Sequence, residues 1–493
     1  MTPRRSLVLV AVCALGLARA LLAQGPTQEL IPQLPRQSSA PLPGSAMDGA
    51  TLQTSSRDPF RGSVAAEAAT AEEIDLSLEE AIARGLRNNL GLLLSQQSSR
   101  AAEANQWKQR SALLPNVTTR TAETVQQTNL RAFGFPGFSG VPSIVGPLSV
   151  FDARVALSQS AFDLSAWRRT AAAKAGKEAA GFSYQDAREM VVWVVANLYF
   201  QAIAGAARVE AARSELQTAE VLFRQATDFK NAGVVAAIEV LRAQVEYQAQ
   251  QQRLIYFENE REKQKLDLAR AIGLPARQAF RLTDTLSEAA PPALDLSAAR
   301  DRALAARPDY QNLQALVREA EREKQAAQAQ RLPKISLHGD YGAIGRAPGR
   351  SHGTFSASAS LEFPLFQGGR VRGDVLQADA TLNQLQAELD DLHGRVEYEL
   401  QVALLDLQAA EQQVEVARSA RELATQQMTQ AQDRFAAGVV SNIEVVQAQE
   451  SLAAAHENYI SSLYALNAAK VSLARALGAA ETGLPAILRG EMP

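Results

Sequence analysis

The sequence predicts a mainly α-helical chain that also supplies four strands to a membrane β-barrel shared between several copies. Three observations point there: a tandem duplication, two matched pairs of alternating strand-like runs, and very long helical stretches with heptad seams. Gln and Ala are abundant and aromatic residues sparse, which suits long helices with narrow seams better than a thick globular core. The formal net charge is −3 over 493 residues, with both signs interspersed. No basic stripe points to nucleic acid.

The N-terminus reads as an address. Arg4 and Arg5 precede an apolar run over 7–17, and Ala18-Arg19-Ala20 and Leu21-Leu22-Ala23 offer small-residue cleavage sites, so 1–23 is expected to be a secretory signal peptide. The run is short for a membrane anchor. The single cysteine, Cys13, follows Val12 rather than a small residue and lies inside this segment, so it is expected to leave with it. Residues 24–73, rich in Pro, Ser, Gly and Gln, read as a tether. No later segment reads as a transmembrane helix; the most apolar, 190–200, is short and contains Asn197. A membrane crossing must then use strands in a closed barrel.

The duplication sets the domain plan: one repeat over 74–285, a second over 286–480, and a tail over 481–493. Leu76, Leu78, Ala81, Arg84 and Leu86 recur as Leu294, Leu296, Ala299, Arg302 and Leu304, and Leu114-Pro115 recurs as Leu332-Pro333. Ala232-Gly233-Val234-Val235 returns as Ala437-Gly438-Val439-Val440, and Ile238-Glu239-Val240 as Ile443-Glu444-Val445. Leu268-Ala269-Arg270-Ala271-Ile272-Gly273 matches Leu473-Ala474-Arg475-Ala476-Leu477-Gly478. A repeat this long is a duplicated half-domain rather than a solenoid unit.

Each half has the same internal order. A helical segment, 77–113 or 295–331, stops at Leu-Pro, because proline ends the helix and starts an extended run. A strand pair follows, about 116–162 or 334–366. A long helix (164–230 or 372–436) then breaks at Gly233 or Gly438, and a second long helix returns. In the strands Phe355, Ala357, Ala359, Leu361 and Phe363 alternate with Ser356, Ser358, Ser360 and Glu362. Ile335, Leu337 and Tyr341 alternate with Ser336, His338 and Asp340, and Phe151, Ala153, Val155 and Leu157 with Asp152, Arg154 and Ser158. One face is apolar and one polar over about ten residues, the length and pattern of a barrel strand between lipid and water. Taken alone, any one such strand better fits a half-buried hairpin of a soluble domain; two matched pairs in an exported chain reverse that balance.

The helices carry coiled-coil seams. Val445, Ala448, Leu452, Ala455, Tyr459, Ser462, Leu466, Ala469 and Leu473 step by three and four, and Leu400, Leu404, Leu407 and Val414 belong to a partner stripe. Four strands cannot close a membrane barrel, and an open edge in lipid leaves backbone groups unpaired, so several chains must share one barrel. Their long helices then form a second, helical tube.

On these residues the chain resembles the TolC-like outer-membrane efflux family. The resemblance covers about 74–480 and rests on the duplicated hairpins, the Leu-Pro stops, the terminal Leu473 to Gly478 motif, and Arg434-Phe435-Ala436-Ala437-Gly438-Val439-Val440 with Ile443-Glu444-Val445 and Ala448. It implies a homotrimer with a twelve-stranded barrel in outer-membrane lipid, and an α-helical tunnel in the periplasm. It also implies a passive conduit, with no cofactor and no catalytic residue, recruited by a periplasmic adaptor and an inner-membrane pump. The helix turns Gly233-Val234-Val235 and Gly438-Val439-Val440 would form the periplasmic tip and meet the adaptor; each glycine would in any case cap its helix. By the same resemblance Glu444, Gln447, Phe435 and Val440 stand at the periplasmic gate. Three copies of Glu444 would form a cation-selective ring, although a first-turn carboxylate also satisfies the helix dipole. Gln447 and Val440 depart from the acidic and basic residues of the best-known member, so closure would rest more on apolar contact.

The four histidines are scattered without metal-ligand spacing, and neither a nucleophile elbow nor a phosphate loop is present. Two further readings stay open: a protein-secretion conduit of the same fold, and an exported coiled-coil scaffold without a barrel.

Overall fold

The computed structural model describes residues 58–65, 68–70, 72–134, 142–289, 295–437 and 439–491. The expected signal peptide, Cys13, most of the expected tether and Gly438 lie outside them. The first half runs β1 (Ile74–Leu76), α1 (Leu78–Asn88), α2 (Leu90–Ser111), β2 (Asn116–Asn129), β3 (Ile144–Phe162), α3 (Leu164–Asn231) and α4 (Ala237–Ile272). The first half closes with β4 (Phe280–Leu282), which pairs with β1, and the second runs α5 (Leu296–Ala306), α6 (Pro308–Ala329), β5 (Lys334–Gly345), β6 (Ser351–Glu362), α7 (Arg370–Ala436), α8 (Asn442–Ala476) and α9 (Ala480–Leu488).

Three local differences from the sequence reading have physical causes. Each helix expected before a Leu-Pro is two helices with an elbow. At the first elbow Asn89 leaves helical geometry and its Oδ1 accepts from Gly91 N–H at 2.9 Å, capping α2. At the second, Arg307 precedes Pro308 and is held extended by it (ψ 119°). The end of the supposed tether is tied down: Asn89 Nδ2 donates to Phe60 O at 2.6 Å, and the Phe60 ring fills the space where a side chain on Gly91 would sit. The supposed tail carries α9, which buries Leu484 and Ile487. Glu189 of α3 accepts from the first free N–H of α9, Ala480 N, at 2.6 Å.

Helices α3 and α7 have 68 and 67 residues, each about 100 Å long. An 18-residue window of α3 has mean hydropathy 1.6, enough by composition for a membrane span. That window is 67% buried inside the protein, and Val191, Val195, Tyr199 and Phe200 belong to the main hydrophobic cluster with residues of α1, α4, α7, α8 and α9. The segment is therefore core.

Neighbour relations define two rows. Near the strands, α2, α3, α6 and α7 lie side by side in that order; beyond the core the order is α4, α3, α8, α7. The antiparallel sheet has the order β2-β3-β5-β6. Strand β2 follows α2 and β6 leads into α7, so the sheet and both helix rows end on the same two sides.

Lys470 of α8 is fully buried, its Nζ 3.3 Å from Ser287 O. Burial pushes its ammonium down to about 8, and Glu411 offsets only part of that. The native state thus binds fewer protons than the unfolded chain between about 8 and the ordinary lysine value of about 10.4, and stability rises as pH climbs through that window. Lys470→Met is expected to stabilise at pH 7 by roughly 1–3 kcal/mol. The gain should shrink toward pH 10 in thermal scans of the detergent-solubilised protein. A gain independent of pH would remove desolvation as its cause.

Candidate functional site

The sheet separates two chemistries. Register pairs Val155 with Tyr341, Tyr341 with Phe355, and Ile335 with Leu361, so these side chains share one face. They are exposed in the single chain, as are Val117 and Val125 of β2. The opposite face holds a charged network. Arg154 donates from Nε to Asp152 Oδ1 at 2.6 Å and from Nη1 to Asp340 Oδ1 at 3.2 Å, and Ser356 Oγ donates to Asp340. Arg120 lies directly across from Arg154. Both edge strands, β2 and β6, have one side without a partner among the described residues.

The turn between α3 and α4 closes on Gly233, whose φ of +73° is the left-handed conformation glycine adopts without strain. Val234 N–H then donates to Phe229 O at 2.8 Å. Val234 is exposed and Val235 half-buried. At the second turn Val439 N–H donates to Arg434 O at 3.0 Å; Val439 is exposed and Val440 half-buried.

Phe435 is 3% exposed and packs against Phe229, ring centroids 5.8 Å apart. With Leu222, Met428, Val445 and the half-buried Val440 it forms the cluster that joins the two hairpins. A ring buried this way reaches a constriction only through helix packing, not by projecting into a lumen. Glu444 sits in the first turn of α8, its Oε1 2.6 Å from Arg434 Nη1 across the turn. Gln447 is exposed and lines a groove of about 510 Å3 between α4 and α8, with Ile238, Leu241, Val245 and Ile443.

The sequence reading missed the Arg434 partnership, and the duplication carried a hint of it. The first-half counterpart of Glu444, Glu239, pairs instead with Arg242 at 2.7 Å, and Arg242 corresponds to Gln447. Each hairpin thus neutralises its acid from a different position. It also missed an exposed stripe on α4 (Ile238, Leu241, Val245, Ile255, Leu266) and another on α7 (Tyr398, Leu405, Val416, Leu423). Both follow coiled-coil spacing and stay exposed among the described residues. Among the described residues no group of three or more His, Cys, Asp and Glu side chains is placed to hold a metal ion.

Comparison with known proteins fits this geometry. A family model described as outer membrane efflux protein matches residues 81–274 and 299–479. The pyoverdine export outer membrane protein OpmQ of Pseudomonas aeruginosa is 24% identical over 407 residues, covering 81% of this chain and 85% of that protein. The solved structure of the outer membrane protein VceC of Vibrio cholerae has a TM-score of 0.71 at 18% identity, over 82% of this chain and 96% of that one. The CmeC outer membrane channel of Campylobacter jejuni gives 0.71 at 18% identity, over 90% and 94%. With two matched blocks spanning most of its length on this shared fold, the chain belongs to the outer membrane efflux protein family and is an outer-membrane channel subunit whose helical part lies in the periplasm.

Proposed function

We propose that three copies of this chain form one continuous conduit, receiving cargo from a periplasmic adaptor and an inner-membrane pump and releasing it outside the cell. The observation that carries this is the coincidence of open edges. The free side of β6 meets the free side of β2 in the next copy, closing twelve strands. The same rotation brings the α7 stripe against the α4 stripe. The apolar sheet face then meets lipid and the Arg154 network faces water in the lumen. Mass measurement of the purified protein in detergent is expected to give three chains per particle; a folded monomer or dimer would contradict this closure.

The exposed valines Val234 and Val439 at the turns, with half-buried Val235 and Val440, support an apolar contact with the adaptor. Gly233 sets the first of these turns; Gly438, expected at the second, lies outside the described residues. At the tip Glu444 is assigned to the gate with its charge offset by Arg434, so the constriction is read as a ring of ion pairs bordered by Gln447. Phe435 and Val440 act beneath it by coupling the hairpins. For cargo, OpmQ is named for pyoverdine export, and a related Pseudomonas putida protein as a toluene efflux pump component. Small-molecule efflux is thus favoured over protein secretion. This is passive transport, in which no residue acts as a catalyst.

A further inference from the structure

Where β6 gives way to α7, a cleft of about 300 Å3 opens between the end of α6 and the segment 363–369. Its walls include Leu365 and Phe366, which at 86% and 90% exposure are the barest large apolar side chains among the described residues. Leu365 continues the alternate apolar positions of β6, Phe355 through Leu361 and then Phe363, past the end of the strand. The last rung of the sheet pairs Lys334 with Glu362, so the cleft begins within a few residues of the level at which the sheet ends.

Its charge is one-sided. Arg370 is engaged by Asp374 at 3.1 Å, Gln330 at 2.8 Å and Gln367 at 2.7 Å. Arg331 and Arg372, which also line the cleft, are exposed and form no ion pair among the described residues. The nearest acid on β6, Glu362, belongs to the polar face of the strand. Two unpaired guanidiniums beside a fully exposed Leu-Phe pair, at the end of a membrane sheet, match one kind of molecule: phosphate for the arginines, acyl chain for the apolar wall.

We propose that this cleft binds an anionic glycerophospholipid of the periplasmic leaflet, its phosphate between Arg331 and Arg372 and its acyl chains along Leu365 and Phe366. The site rests on the reading of β5 and β6 as membrane-spanning. Two cations without an ion-pair partner among the described residues favour a headgroup of net negative charge over a zwitterionic one, whose ammonium would meet the arginines.

The test is native mass spectrometry of the purified oligomer with phosphatidylglycerol or phosphatidylethanolamine added to the detergent. Wild type is expected to retain phosphatidylglycerol at about tenfold lower concentration than phosphatidylethanolamine, because both phosphates can reach the arginines but only the second lipid brings an ammonium against them. Arg331→Gln with Arg372→Gln should erase the preference, and the paired lysine variants should keep most of it. Equal retention of both lipids by wild type, or an unchanged preference in the glutamine variant, overturns the proposal. So does a Phe366→Cys oligomer that crosslinks to the neighbouring chain and not to a photoactivatable phosphatidylglycerol, since the cleft would then be covered by protein. Flotation with phosphatidylethanolamine vesicles separates the two claims: wild type and glutamine variant should both float if the sheet spans the membrane, whatever becomes of the site.

Discussion

Val416→Asp combined with Leu423→Asp is expected to leave the chain folded and to abolish the oligomer. Both side chains are exposed in the single chain, so nothing in the subunit's own core is lost. Both lie on the α7 stripe that ends one side of the helix rows. Burying such a side chain against a neighbour contributes about 1.5–3 kcal/mol, and a carboxylate buried there without a partner costs several more. Over the three identical seams of the proposed trimer the loss exceeds what a non-covalent ring of this kind tolerates. The helical circular dichroism per residue should stay within error of wild type while the particle mass falls to one chain. A variant that kept the wild-type mass would place the subunit contact elsewhere.

Arg307→Ala is expected to destabilise the subunit itself. Arg307 is 5% exposed and sits at the α5–α6 elbow, where its guanidinium meets Asp309 (Nη2 to Oδ2, 2.6 Å) and Glu399 of α7 (Nη1 to Oε2, 2.6 Å). Burial would raise the Asp309 carboxyl, but the hydrogen bonds and charge of Arg307 overcome it and hold it below the usual range. Removing the cation leaves two acids facing each other's field. A buried pair broken this way costs about 3–5 kcal/mol; Glu399 is partly solvated, so about 2–4 kcal/mol is expected here. Since the folded Asp309 value is depressed, its contribution is present above pH 4 and lost as pH falls through the folded value. The gap between variant and wild type in thermal scans should therefore narrow in acid. A gap of the same size at pH 3 and pH 7 would show that lost packing, not charge, sets the cost.

What the sequence made legible follows from which features are local or repeated. The strand faces were readable because Phe355 to Leu361 alternate with period two. The architecture was readable because each motif recurs in order, and an accidental pattern seldom does so twice. The elbows were half-written: Pro308 announces one, while Asn89 acts through a side-chain cap that composition does not distinguish from any helical Asn. Helix α9 was hidden by Gly483 and Pro485, residues that usually break a helix, while Leu484 and Ile487 between them fill the core. The proposed gate was the least legible part. The resemblance set Phe435 at the gate, but only the fold shows it facing Phe229, and the Arg434–Glu444 pair depends on the geometry of a turn between two helices. The open strand edges followed from the strand count, but the exposed stripes on α4 and α7 could not be read, because such a stripe is recognisable only after the partners within the chain have been placed.

The most direct measurement of the central claim is single-channel current from the purified protein in a planar bilayer, with Glu444→Gln beside the wild type. Wild type should insert and give discrete, uniform conductance steps. The variant should give steps of similar size with its reversal potential shifted toward anions, because each copy of Arg434 is then left unpaired. Folded, oligomeric protein that neither inserts nor carries current would contradict the shared barrel and the conduit built on it.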